Sequence, residues 1–339
     1  MADLPQIVLD EEQQEVVGQF RSELHRLTDR MMSGETGVGA NITKELFAQE
    51  MGYIQNIETN TLTIAVYLKS WLEQFRQNHV WTSGFEDSSW RLPLCTPPER
   101  SAIVVGAGPS LTDEQLMLLK DYKGYVICSN KALGRVLRYR VPDMVAVIHT
   151  TPEIVEHFCG ELVTEKLMWG GVEVLASTCI HPDLTMRLEA LHAKVRWFNA
   201  SIPFKTGLDE YMHAMAPHLS TIDTGGNVGI FMCQLAAMMQ YKTIGMLGME
   251  HCLELNPKWT NEEAAEHAIF YAPEDDPVPF AMDQAFHNYM LIIQAWYSGL
   301  EGKGIDVYNL TPKGFLYIRR RNPGAMPYME TKEYVERFG

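Results

Sequence analysis

Two glycine-rich turns and a few histidines carry most of the chemistry that can be read from this chain. The first turn is Gly106-Ala-Gly-Pro-Ser-Leu111, into which the apolar run Ile103-Val-Val105 empties. Glycines let backbone come close to a ligand. Thr112 offers an N-cap and Gln115 completes a capping box, so the helix that follows would aim its free N–H groups at an anion such as a phosphate. The second turn, Asp223-Thr-Gly-Gly-Asn-Val-Gly229, precedes a segment from Ile230 to Tyr241 that is apolar nearly all round. Such a helix must be buried, and its start is a second anion pole. A strand over 243–248 then brings Met249-Glu250-His251 to a carboxyl end, where open α/β sheets gather ligand groups. His149, Glu250 and His251 form a further candidate site. No second ligand pair has metal spacing, so no metal centre is expected.

The first turn departs from two common nucleotide motifs. Leu111 stands where a dinucleotide fingerprint has its third glycine, and the second strand ends in Cys128-Ser-Asn130 rather than an acidic ribose ligand. Both differences count against NAD. No Lys-Ser/Thr pair follows the turn, which removes the P-loop. Two glycine-rich helix starts on one sheet suggest a divided site, with nucleotide on one side and acceptor on the other.

These residues need a scaffold, and the chain of 339 residues is long enough for a sizeable core. From Ser101 onward short apolar runs alternate with amphipathic stretches, the pattern of a Rossmann-like α/β fold whose mostly parallel sheet has helices on both faces. Strands are expected near 102–106, 124–129, 144–149, 172–177, 194–198, 243–248 and 305–309. Helices are expected over 113–121, 131–139, 152–158, 183–192, 227–241 and 283–300. Residues 1–98 read as a helical N-terminal region, a cap or an oligomer contact, with one segment running from about Asn60 through Trp71 to Phe75. The stiff Leu92-Pro-Leu-Cys-Thr-Pro-Pro98 marks a boundary, 99–318 is expected to form the Rossmann-like nucleotide-binding domain, and 319–339 a C-terminal tail.

Composition narrows the partners. A net charge of -15 argues against a nucleic-acid footprint. No apolar run approaches the roughly 20 residues that span a bilayer. The start of the chain lacks a leader pattern, and the six scattered cysteines have no CxxC pair. A cytoplasmic protein with reduced thiols is the expectation.

The order of motifs resembles a known group. GAGPSL, then CSN, then TGGNVGIFMCQLAAMMQYKTIGMLGME, and finally Ile305-Asp-Val-Tyr-Asn-Leu-Thr-Pro-Lys-Gly314 are similar to the shared domain of three families. These are the single-domain bacterial sialyltransferases, the motility-accessory-factor (Maf) flagellin glycosyltransferases and the MptE-like pterin diphosphokinases. The resemblance covers roughly residues 100–315. It implies that Gly106, Gly108, Pro109, Ser110 and Asn130 hold a CMP-linked sugar donor, with Thr224, Gly225, Gly226 and Asn227 beside it. A histidine opening a late helix would be the general base, which implicates His287. Its unperturbed imidazole, near pH 6.5, suits proton removal at neutral pH. The Tyr271–Pro279 stretch would then be a loop closing over substrate, with Tyr271 contacting the leaving phosphate.

The resulting expectation is a glycosyltransferase moving a sugar, such as a nonulosonic acid, from a CMP-type donor to an acceptor hydroxyl. It needs no cofactor beyond the nucleotide-sugar substrate. The alternatives are an MptE-like 6-hydroxymethylpterin diphosphokinase using ATP and Mg²⁺, and a domain that binds a nucleotide or partner without catalysis. Many Maf and MptE-like sequences carry Asp near the end of the third strand, after a Pro-Asp pair; this chain keeps Pro142-Asp143 but reads Val147-Ile-His149-Thr150, which weakens a Mg²⁺-dependent reading.

Overall fold

A computed structural model describes residues 18, 67–81, 101–169, 171–201, 208–250, 253–254, 268–270, 280–282, 284–318, 320 and 325–339. The seven apolar runs form strands. They are β1 (Ser101–Val105), β2 (Tyr125–Ser129), β3 (Met144–Val147), β4 (Glu173–Ser177), β5 (Lys194–Ser201), β7 (Thr243–Leu247) and β11 (Asp306–Asn309). One further strand, β6 (Thr221–Asp223), joins them in an eight-stranded sheet of order β11-β7-β1-β2-β3-β4-β5-β6. Every pairing in it is parallel. Three short strands, β8 (Leu253–Glu254), β9 (Ala268–Phe270) and β10 (Phe280–Met282), pair antiparallel in a second small sheet.

The central strands are apolar over most of their length because both of their faces are covered. In β1, Ile103 and Val105 enter one core, whereas Ala102 and Val104 enter the other. The second core is built on the Val228–Met238 helix, whose Ile230, Phe231, Met232, Cys233 and Leu235 are all fully buried. Phe231 stacks on Phe198 of β5 with centroids 4.9 Å apart. The expected capping box is present, since Thr112 accepts from the Gln115 backbone and Gln115 reaches back to the Thr112 amide.

Residues on either side of the central stretch pack into the same body. Helix 67–81 turns Leu68, Trp71, Gln74, Phe75 and Asn78 inward at helical spacing, and Phe75 is 0% exposed. Asn78 is fully buried. Its amide donates to the carbonyls of Thr178 and Ile180, both at 2.9 Å, and accepts from the Thr185 hydroxyl at 2.8 Å. At the other end, the Thr331–Phe338 helix returns to β1. Tyr334 Oη donates to Ala102 O at 3.0 Å, and Ser101 Oγ donates to Phe338 O at 2.7 Å.

Candidate functional site

The sheet order reverses at β1, whose neighbours are β2 on one side and β7 on the other. The crevice outside such a switch point is a common ligand position. Here the first glycine turn occupies it and holds an internal carboxylate. Gly106 N donates to Leu247 O at 2.8 Å, Gly108 N to Gly248 O at 2.9 Å, and Ser110 N to Glu250 Oε1 at 2.7 Å. The Ser110 hydroxyl donates to the same Glu250 oxygen. Glu250 is 3% exposed. Glycine is required at both positions by this close approach. A Cβ on Gly106 would lie 2.4 Å from Gly248 O, and one on Gly108 would overlap the Glu250 carboxylate. Pro109 at the tip is exposed. In this arrangement three amides that could meet a phosphate are bonded within the protein.

The second glycine turn opens on a cavity of about 350 Å³ at the carboxyl ends of β3 to β6, within the size range of small-molecule sites. Thr224, Gly226 and Asn227 line it, and so does His149 from the end of β3. Gly225 and Gly226 have φ of +60° and +70°, left-handed backbone that favours glycine. Asn227 caps the Val228–Met238 helix, its Oδ1 accepting from Gly229 N at 2.8 Å and Ile230 N at 3.4 Å. An anion at this helix start would therefore meet the field of the helix, with those two amides already satisfied. Gly225 is buried behind the turn, where a Cβ would meet Ile230 at 2.8 Å.

His149 is exposed along the cavity wall, yet the protein packed around its ring desolvates it and holds the imidazole below its ordinary pKa, and the positive fields of His157 and Lys131 add to the effect. It is thus a neutral ring at pH 7, able to accept a proton. Asn130 sits beside this region, with its Nδ2 2.7 Å from His157 Nδ1. Asn130 is 1% exposed, and its Oδ1 has no hydrogen-bond partner among the described residues.

The candidates named from the sequence thus divide. His149, Thr224, Gly226 and Asn227 share the cavity, and Gly106, Gly108, Ser110 and Glu250 share the closed turn. Asn130 pairs with His157 and is not among the cavity-lining residues. His287 lies on the Gln284–Ser298 helix, which reaches the cavity through Tyr289, but its side chain is outside the described residues. Tyr271 and His251 are also outside them. The cavity adds residues that the sequence did not single out, including Asp223, Cys179, Tyr67 and Trp71. Asp223 directly precedes the flagged glycines. The Tyr67/Trp71 spacing of four was visible on the expected helix, but nothing local indicates which strand ends it would cover.

Among the described residues, no group of three or more His, Cys, Asp or Glu side chains is arranged to hold a metal ion. Cys128, Cys179 and Cys233 are buried free thiols and Cys159 is an exposed one. No described helix is long and apolar enough to cross a membrane.

An all-parallel sheet with helices on both faces and a ligand-sized cavity at its strand ends defines an open α/β protein of the Rossmann-like kind. The family model described as "6-hydroxymethylpterin diphosphokinase MptE-like" matches residues 53–255, and the chain belongs to that family. Among solved structures the chain is similar to the MAf glycosyltransferase from Magnetospirillum magneticum AMB-1, at 14% identity and a TM-score of 0.51. The match covers 75% of this chain and 40% of that one, so the chain spans well under half of the Maf protein. No curated protein matches it in sequence.

Proposed function

We propose that the protein is a glycosyltransferase that uses a CMP-type sugar donor and acts in the cavity at the ends of β3 to β6. The observation that carries this reading is His149, an imidazole on the cavity wall that is neutral at pH 7, where Mg²⁺ chemistry would call for a carboxylate. The donor phosphate would lie toward Thr224–Asn227 and the positive end of the Val228–Met238 helix. The acceptor hydroxyl attacks the anomeric carbon and gives its proton to the His149 ring. The bond from that carbon to the phosphate oxygen breaks, and CMP leaves with the electron pair. His287, which the family resemblance implies as base, is the competing assignment for the same proton.

The test is CMP release from a CMP-activated nonulosonic acid in the presence of an acceptor. His149→Gln should lower the rate about 10²- to 10⁴-fold, the usual scale of general base catalysis. An unchanged rate in His149→Gln with a collapse in His287→Ala would move the base to the late helix.

A second reading, pyrophosphoryl transfer, is favoured by the family and by Asp223, a carboxylate that also lines the cavity. Asp223 already accepts from Gly225 N at 2.8 Å and would have to serve Mg²⁺ alone or with substrate phosphates. It predicts Mg²⁺-dependent release of AMP from ATP when hydroxymethylpterin is present. Absence of AMP under those conditions removes it.

A further inference from the structure

We infer that helix 67–81 is the wall on which the nucleoside part of the donor is recognised, an inference that rests on the transferase reading above. Tyr67 and Trp71 are one helical turn apart, and both line the cavity. Their rings lie within 19° of parallel, with centroids 6.4 Å apart. Tyr289 lines the same cavity from the Gln284–Ser298 helix. Flat aromatic faces accept any base through stacking.

The helix is fixed where a recognition surface needs to be. Gln74 Nε2 donates to Thr150 O at 2.6 Å, at the cavity edge, and Asn78 and Phe75 are fully buried. Two polar atoms on the inward face are unspent. Trp71 Nε1 and Gln74 Oε1 are buried and have no hydrogen-bond partner among the described residues. One is a donor and the other an acceptor, three residues apart on the same face. Trp71 lines the cavity, so its indole N–H would donate to a sugar hydroxyl seated beside it. Base stacking together with a hydroxyl contact is the chemistry of a nucleoside, so the N-terminal region supplies the donor-recognition side of the site.

The experiment titrates the intrinsic fluorescence of the full chain with CMP, 2′-deoxy-CMP, 3′-deoxy-CMP and ribose 5-phosphate. Ribose 5-phosphate, lacking the base, should bind at least tenfold more weakly than CMP. Trp71→Ala, followed by calorimetry, should weaken CMP binding about tenfold to a hundredfold, the scale of one lost stacking partner. Trp71→Phe keeps a ring but no N–H, so it should erase the preference for CMP over the deoxy form whose hydroxyl is read. It decides the matter if the alanine variant does not fold. CMP binding at wild-type strength in a folded Trp71→Ala, with CMP release from the sugar donor intact, overturns this inference and leaves the transferase standing. Failure of the wild type to bind any of the nucleotides overturns both.

Discussion

At the residue scale, the cavity imidazole is read out by pH and the buried carboxylate by mutation. The folded chain disfavours protonation of His149 because the protein packed around the ring desolvates it and the charges of His157 and Lys131 oppose a second positive charge. As pH falls through the ordinary value of 6.5, the unfolded chain takes up this proton and the folded chain does not. Stability is therefore lost on acidification below that value, and His149→Gln should flatten this part of a pH series of urea midpoints. A loss of equal slope in the variant would assign the pH effect to other groups. Glu250 behaves differently, because its role is to occupy the donors of Ser110. Glu250→Ala should cost about 1–3 kcal/mol by leaving buried donors unmet, whereas Glu250→Gln, which keeps an acceptor oxygen, should cost less. Denaturant titration separates the two, and equal costs would contradict the assignment. The glycines of this turn were legible in the sequence as residues that something must approach closely. What approaches them was not, because a glycine requirement does not say whether the crowding atom belongs to a ligand or to Gly248–Glu250.

At the element scale, what was legible followed burial. Strands covered on both faces read as unbroken apolar runs, and the Val228–Met238 helix read as buried because it has no polar face. β6 escaped because only Ile222 among its three residues is buried, which leaves no pattern to count. The Glu161–Met168 and Leu208–Met215 helices also went unforeseen; each is only eight residues long, too short for its amphipathic repeat to stand out from the flanking loops. A helical segment was expected from about Asn60 through Trp71 to Phe75; the helix described over 67–81 overlaps it, and its seating depends on a polar residue. Asn78 ties it to the segment after β4 through three hydrogen bonds. Asn78→Ala should destabilise the fold by about 2–4 kcal/mol, since carbonyls of Thr178 and Ile180 lose their donor in a buried setting. Thermal unfolding reads this directly, and a shift no larger than that of an exposed substitution such as Lys69→Ala would contradict it.

At the scale of the whole molecule, both flanks of the sheet contribute to one body. The Thr331–Phe338 helix is bonded to β1 through Tyr334 and Ser101, and Tyr334 is fully buried between Tyr122 and Phe338. Sequence patterning marked these residues as a tail because their apolar positions are few and their partners lie more than 200 residues away, beyond any local window. The cavity was equally non-local, assembled from the ends of four strands and a helix that precedes them all. The function turns on what that cavity binds, which calorimetry with CMP and CTP beside ATP and GTP reads. Saturable binding of a cytidine nucleotide is expected, weakened by substitution of Asn227 or Trp71 and unaffected by removal of Mg²⁺. Binding of ATP alone, dependent on Mg²⁺, or no binding of any cytidine nucleotide, would contradict it.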